Sequence, residues 1–482
     1  MINTKRIINI LGLLLLIEAC FIALCFPVAL IYGDGEVVAF IITIIAMLFT
    51  GSCMWFFTKN TEQSIGKREG FIIVGLVWIM FSLFGCLPFW ISGSIPSFTD
   101  AFFETISGFT TTGASILNDI EAMPRGLLLW RSMTQWMGGM GIIVLSLAVL
   151  PVLGIGGMQL FVAEVPGPTK EKLHPRVKET ARRLWGIYIL FTGIEIVLLL
   201  FGGMSLFDAV CHSLTTMSTG GYSTKQASIA HFESAYIEYV ITLFMFIGGT
   251  NFILSYFAIR LRFDKIWRNE EFRFYLGSVG AFVLVIGAGL YLTGAGSVEE
   301  SFRMSAFQVV SIITTTGFVT ADYLIWFPLL SVLIFVLMFF GGSAGSTGGG
   351  VKIIRVLLII KNSYLEIKRL SYPNAVIPVK LNHKPISQHI VSNVLAFVFI
   401  YILIIVISVV VIASFGYDMD TSFGAAAASL GNIGPGMGLV GPAESYSHFP
   451  VFGKWFLAFL MLLGRLELFT ILILFAPSFW RK

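Results

Sequence analysis

The chain is 482 residues long, 56% hydrophobic and 12% charged, with a formal net charge of +4. That balance excludes an ordinary water-soluble domain, and so small a charge leaves no electrostatic footprint for nucleic acid. Apolar runs longer than the roughly 20 residues that cross a bilayer recur throughout, so the fold class is an all-α polytopic membrane protein. Cys20, Cys25, Cys53, Cys86 and Cys211 fall in apolar segments, with no CxxC pair and no nearby histidine set. They read as small buried hydrophobes rather than disulfides or metal ligands.

Two helices come first, near 7–32 and 36–58, joined by the turn Gly33-Asp34-Gly35. Lys5 and Arg6 precede an apolar run that is too long for a signal peptide and lacks a small-residue cleavage site, so the first helix is retained. Lys59, Lys67 and Arg68 close this N-terminal unit, residues 1–69. Residues 70–183 hold an outer helix near 70–92, a short helix near 97–109, a span near 126–150 and a polar connection over 151–183. Ser97 or Thr99 is placed to cap the short helix, and Asp100 suits the positive end of its dipole. Residues 184–273 repeat the plan with a span near 184–203, a short helix near 205–217, a span near 236–260 and a basic loop. Residues 274–387 give spans near 274–293 and 327–361 around a short helix near 299–313, then a basic connection. Residues 388–482 end the chain with spans near 388–414 and 449–477. The expected total is ten full spans and four re-entrant hairpins.

After each short apolar segment comes a stretch that ends in glycine. Thr110-Thr111-Thr112-Gly113 is followed by Met217-Ser218-Thr219-Gly220-Gly221, Thr314-Thr315-Thr316-Gly317 and, less regularly, Gly431-Asn432-Ile433-Gly434. Gly113, Gly220, Gly317 and Gly434 lie 107, 97 and 117 residues apart. Internal repetition of this kind fixes the architecture before any other feature does. One such stretch is a polar turn between helices. Four at matching positions suggest extended backbone returning from a half-entered helix, which survives at membrane depth only where it lines a cavity. Carbonyls around such a cavity replace the hydration shell of a bare cation.

The charge distribution sets the orientation. With the N-terminus in the cytoplasm, inner segments hold 25 of the 31 Lys and Arg, and the outer side holds Arg125, Arg131, Lys225, Arg303 and Lys454. The outer loops and short helices carry 15 of the 27 acids, an expected net acidic surface that concentrates cations. Both termini are thereby placed in the cytoplasm.

Two features interrupt the apolar pattern. Gly341-Gly342-Ser343-Ala344-Gly345-Ser346-Thr347-Gly348-Gly349-Gly350 puts six glycines into ten residues of a span. Each costs a helix about 1 kcal/mol relative to Ala, so a broken helix with an irregular loop is expected there. Small-residue helix packing is the alternative, but packing alone does not need three consecutive glycines. Arg465 lies mid-span in the last helix, where a charge is expensive and implies a partner. Glu467, two residues on, is on a different face and is no helical partner. His212 reads as packed, and Glu18 and Glu195 as interhelical hydrogen-bonding groups. No nucleophile triad, carboxylate dyad or phosphate-cradling loop appears, so no enzyme is expected.

With Ser107-Gly108-Phe109-Thr110-Thr111-Thr112-Gly113-Ala114, Trp136-Met137-Gly138-Gly139-Met140-Gly141, Ser218-Thr219-Gly220-Gly221-Tyr222-Ser223 and Asn432-Ile433-Gly434-Pro435-Gly436, the whole chain resembles the Trk/Ktr/HKT superfamily of cation transporters, and TrkH-type potassium uptake proteins in particular. The resemblance implies a bacterial inner-membrane protein with two extra N-terminal helices and four pseudo-fourfold repeats. It implies a potassium filter at Thr111, Thr112, Gly113, Ser218, Thr219, Gly220, Thr315, Thr316, Gly317, Asn432, Ile433 and Gly434. It assigns the gate to Gly341, Gly342, Ser343, Gly345, Ser346, Thr347, Gly348, Gly349 and Gly350, held by Arg465. Potassium is then the transported ligand, with no covalent cofactor. The implied partners are a second copy of the chain in a homodimer, the lipid bilayer, and a cytoplasmic TrkA-type nucleotide-binding ring, with no nucleic acid. A symporter coupling potassium to H+ or Na+ is the alternative, although few membrane-embedded carboxylates are available for it.

Overall fold

The computed structural model describes residues 2–33, 35–59, 66–144 and 174–481, and in them the chain is a helical bundle. The connection expected over 151–183 lies outside the described residues as far as 173, and helix His174–Phe201 takes up its end, ten residues before the expected span. Among the described residues six helices are long and apolar enough to cross a membrane: Thr4–Tyr32, Val37–Thr58, Arg68–Ile91, Thr180–Phe201, Glu270–Leu292 and Gln388–Ala413. Large apolar side chains such as Phe57, Phe201, Leu284 and Phe399 point outward from them, as lipid contact requires. Such a chain is a polytopic helical membrane protein. Cys20 is exposed and Cys53 half-buried on these outward faces, against expectation, while Cys25, Cys86 and Cys211 are buried.

The remaining crossings differ from the sequence reading. The span expected near 236–260 is two helices, Ala235–Gly248 and Phe252–Ile259, bent by 112°. The Asn251 side chain accepts from the Ile253 N–H at 2.9 Å and so starts the second helix afresh. The span expected near 449–477 is likewise two helices, Val451–Arg465 and Phe469–Phe475, bent by 118°. Its break holds Glu467 and Leu468 at φ 56° and 51°, a conformation that ends any right-handed helix. The third broken span matches expectation, with Pro328–Leu337 and Ile353–Ser371 on either side of the glycine-rich segment. Counting each bent pair as one span gives up to eight among the described residues; the expected ten also need the interrupted segment 328–371 and Arg125–Val144, the expected span 126–150 running on past 144 outside the described residues.

The four short helices form where the sequence places three of them, at Phe98–Phe109, Leu206–Met217 and Val298–Ile313, with Met419–Gly431 as the fourth. Each starts on a side-chain cap. Ser97, Ser205 and Ser297 accept from the N–H groups of Asp100, Asp208 and Glu300, and Asp418 accepts from Thr421. In the third helix Glu300 also reaches back to the Ser297 N–H at 2.8 Å, completing a capping box. Both chain ends lie at one end of the bundle, where Phe71 and Phe479 meet edge-on. The Gly33 turn lies at the other, where Tyr32 packs on Phe207 at the start of the second short helix.

Candidate functional site: a ring of four backbone stretches over a glycine-rich loop

The four short helices end in the same backbone figure. Thr111, Thr219, Thr315 and Asn432 take φ of 52–60°, and two residues later Gly113, Gly221, Gly317 and Gly434 take φ of 79–95°. The left-handed residue follows its helix cap by fourteen positions in the first, second and fourth repeats and by eighteen in the third. There the short helix is 16 residues long, against 12 or 13 elsewhere, one further turn of helix.

This figure corrects the second stretch by one position. Gly221, not Gly220, is the counterpart of Gly113, Gly317 and Gly434, and Gly220 is the counterpart of Thr112, Thr316 and Ile433. With two consecutive glycines and no side chain to mark either, the one signal in the sequence is distance from the Ser-x-x-acid cap: Gly221 follows Ser205 by sixteen residues, as Gly113 follows Ser97, whereas Gly220 follows it by fifteen.

The stretches close on one another. A Cβ on Gly113 would lie 2.2 Å from the Gly220 carbonyl oxygen, one on Gly221 would lie 1.9 Å from that of Thr316, and one on Gly317 would lie 2.0 Å from that of Ile433. A Cβ on Gly434 would lie 2.7 Å from the carbonyl of Thr112, which returns the sequence of contacts to its start. Each glycine is thus required by the next stretch's backbone, and the four make one ring. On one side of the ring is a cavity of about 80 Å³ lined by all four glycines.

The charges around that cavity do not follow the expected acidic surface. Arg131, Lys225 and Glu444 are the charged side chains in its lining. The neighbouring acids are occupied elsewhere. Glu104 takes the Arg131 Nε at 2.6 Å and the Ile116 N–H at 2.9 Å, Asp100 takes Lys454 at 2.6 Å, and Asp208 accepts from Thr224. Burial, pairing and capping thus engage the acids nearest the cavity, whereas Asp119, Glu121, Glu233, Asp420 and Glu444 stay exposed on the outer loops and short helices.

The glycine-rich loop occupies the opposite side of the ring. Its Gly349 N–H donates to the Thr315 hydroxyl at 2.6 Å, and the Thr347 hydroxyl donates to the Met217 and Gly248 carbonyls, both at 3.1 Å. Ser343 N–H donates to Gly249 carbonyl at 2.8 Å, so the break in the second repeat exists to receive this loop. Gly341 and Lys352 bridge the loop's ends, and the Lys352 ammonium donates to the Gly348 carbonyl.

Arg465 reaches this loop. It terminates its helix rather than sitting within one, as the sequence had suggested, and there the negative end of the dipole favours a cation. It is 2% exposed and donates to the Thr347 carbonyl at 2.7 Å and to Gly138 carbonyl at 3.0 Å, joining the loop to the first repeat. Glu467 turns the other way and pairs with Arg355, as its place on a different face requires. His212 is packed, bonding Asp208 carbonyl at 2.8 Å and Ser223 hydroxyl at 2.9 Å. Among the described residues Glu18 lacks the hydrogen-bond partner expected of it, while Glu195 lies beside the Thr216 hydroxyl of the second short helix. Glu18 lies in the space left by Gly85, beside the Phe109 ring and the Thr105 methyl, where no donor is presented.

Several supports were not legible in the sequence. Tyr222 donates to the Glu104 carbonyl at 2.7 Å, Tyr323 to that of Gly436 at 2.8 Å, and Tyr446 to that of Gly434 at 2.8 Å. Gln135 bonds the second stretch, and its polar amide inside the apolar span 126–150 was the one available signal. The Gly138-Gly139 pair has a packing cause: a Cβ on Gly138 would lie 1.9 Å from the Phe109 carbonyl oxygen.

Bundle, short capped helices and backbone ring define a polytopic helical membrane protein. Residues 36–482 match the TrkH family of cation transport proteins, and the chain belongs to that family. It is 42% identical over 99% of both chains to the Trk system potassium uptake protein TrkH of Escherichia coli K12, and 39% identical over the full length of both to that of Halomonas elongata. The crystal structure of the potassium transporter TrkH from Vibrio parahaemolyticus superposes with a TM-score of 0.92, at 38% identity and with both chains fully covered.

Proposed function

We propose that this protein takes up potassium across the bacterial inner membrane through the ring, in a channel-like manner, with the loop at 341–350 as its gate. The closed circuit of glycine–carbonyl contacts carries the proposal. It fixes four backbone strands at van der Waals separation, the arrangement by which carbonyl oxygens replace a cation's water. Potassium as the ion follows from the family and from relatives of about 40% identity along their whole length. An interior-negative potential contributes about 2.3 kcal/mol per charge per 100 mV, enough to drive accumulation without a coupled reaction.

Arg465 and the loop act as one latch in this reading, since a buried guanidinium below the ring opposes cation passage as well as holding Thr347. The protein works as a homodimer with cytoplasmic termini, and a TrkA-type nucleotide-binding ring docks on the basic loops at 151–183, 260–273 and 361–387, the first of which lies outside the described residues as far as 173. The test is cation flux in proteoliposomes holding the purified protein, comparing potassium, rubidium, sodium and lithium under a potassium diffusion potential at two external pH values. Flux that favours potassium and rubidium and follows voltage alone supports a gated pore. Uphill potassium movement driven by a proton or sodium gradient refutes it in favour of symport.

A further inference from the structure

The four stretches of the ring are not held in the same way. In the first, the Thr110 and Thr112 hydroxyls bond each other at 2.8 Å, and in the third Thr314 and Thr316 do so at 2.7 Å. The fourth is held by the Asn432 amide, which donates to the Thr112 hydroxyl at 2.9 Å and the Met461 carbonyl at 2.8 Å. In the second, the positions of the paired threonines are Ser218 and Gly220, and a glycine has no hydroxyl to offer.

Gln135 fills that place. It is fully buried in helix Arg125–Val144, donates its Nε2 to the Gly220 carbonyl at 2.7 Å, and accepts the Tyr222 N–H on its Oε1 at 3.0 Å. One carboxamide therefore spans the strand on both sides of Gly221. A Cβ on Gly220 would lie 2.3 Å from the Gln135 Cδ, so residue 220 is glycine because the amide occupies the side-chain volume. Among the described residues, Gly220 is also the one ring carbonyl of the set 112, 220, 316 and 433 that takes a side-chain hydrogen bond.

We infer that Gln135 is a positioning residue for ion discrimination: its amide substitutes for the missing hydroxyl pair and sets the direction of the Gly220 carbonyl in the ring. This rests on the reading of the ring as the ion-selecting element. Without the amide, the carbonyl is free to rotate between the ring and the space behind it, and the ring no longer presents four fixed oxygens to a dehydrated ion. Gly220 and Gln135 are then a matched pair, small where the partner is large.

The test measures potassium-to-sodium flux ratios in proteoliposomes holding the full chain, for the unaltered protein and Gln135→Leu, whose side chain has similar bulk and no polar atoms. The loss of these neutral hydrogen bonds is expected to lower the ratio by about fivefold or more, while potassium flux stays within about threefold. An unaltered protein that does not discriminate overturns the filter reading and this inference with it. A discriminating protein whose ratio survives Gln135→Leu overturns the inference alone. If Gln135→Leu is not recovered folded, Gln135→Ala is compared with Gln135→Ala/Gly220→Thr, which restores a hydroxyl opposite Ser218. The inference expects the second threonine to raise the ratio above that of Gln135→Ala, a rescue that a purely structural role for Gln135 does not produce; equal ratios overturn it.

Discussion

Replacing Arg465 with Ala tests the latch directly. The substitution removes the hydrogen bond to Thr347 at 2.7 Å, which holds the loop, and the one to Gly138 at 3.0 Å, which anchors the arginine to the first repeat. A hydrogen bond to a charged group contributes about 1.5–3 kcal/mol, and only the Thr347 bond distinguishes a seated loop from a displaced one. Loss of that bond shifts the loop equilibrium towards the displaced form by about tenfold to a hundredfold. Removing the buried charge also lowers the electrostatic barrier to a cation leaving the ring, so both effects act in the same direction. Basal rubidium uptake into proteoliposomes without any cytoplasmic partner is the assay, with thermal melting as a control for folding. A well-folded Arg465→Ala protein whose basal flux equals that of the unaltered protein refutes the argument.

Gly221→Ala should abolish selective flux, because its Cβ falls 1.9 Å from the Thr316 carbonyl oxygen at a φ of 79°. Gly220→Ala meets a movable side chain instead, and should retain more flux than Gly221→Ala in the same assay; the reverse order would restore the register read from sequence. Glu467→Gln should cost about 3–5 kcal/mol in a melting experiment, since it leaves the buried Arg355 without its charge partner. The Asp418 carboxylate is held below the usual carboxylate range by hydrogen bonds from Thr421, the hydroxyl first and the N–H second. Its cap is therefore complete above the ordinary value of about 3.9 and lost as pH falls through the lowered one. Asp418→Ala should accordingly lower the Tm at pH 7 and make progressively less difference below about pH 4.

What the sequence determined by itself is local. Apolar length fixed the long helices, the Ser-x-x-acid caps fixed where three short helices begin, and three consecutive glycines ruled out a continuous third-repeat span. These depend on neighbours within a turn or two of chain. The family, too, was legible, because glycines required by another strand's backbone leave a repeated mark in the sequence. The tertiary structure decided everything that depends on which backbone approaches which. The register of Gly220 and Gly221 is set by the Thr316 oxygen, and the amide of Gln135 by a strand 85 residues further on. The helix break after Arg465 has no Pro or Gly at its turning residues; it lies where Arg465 is bonded to the loop and Glu467 to Arg355, on separate sides. Among the outer acids, Asp100, Glu104 and Asp208 became ion-pair partners or cap-side groups, while Glu121, Glu233, Asp420 and Glu444 stay exposed. A carboxylate's neighbours, unlike a helix's hydrophobicity, are a property of the folded chain.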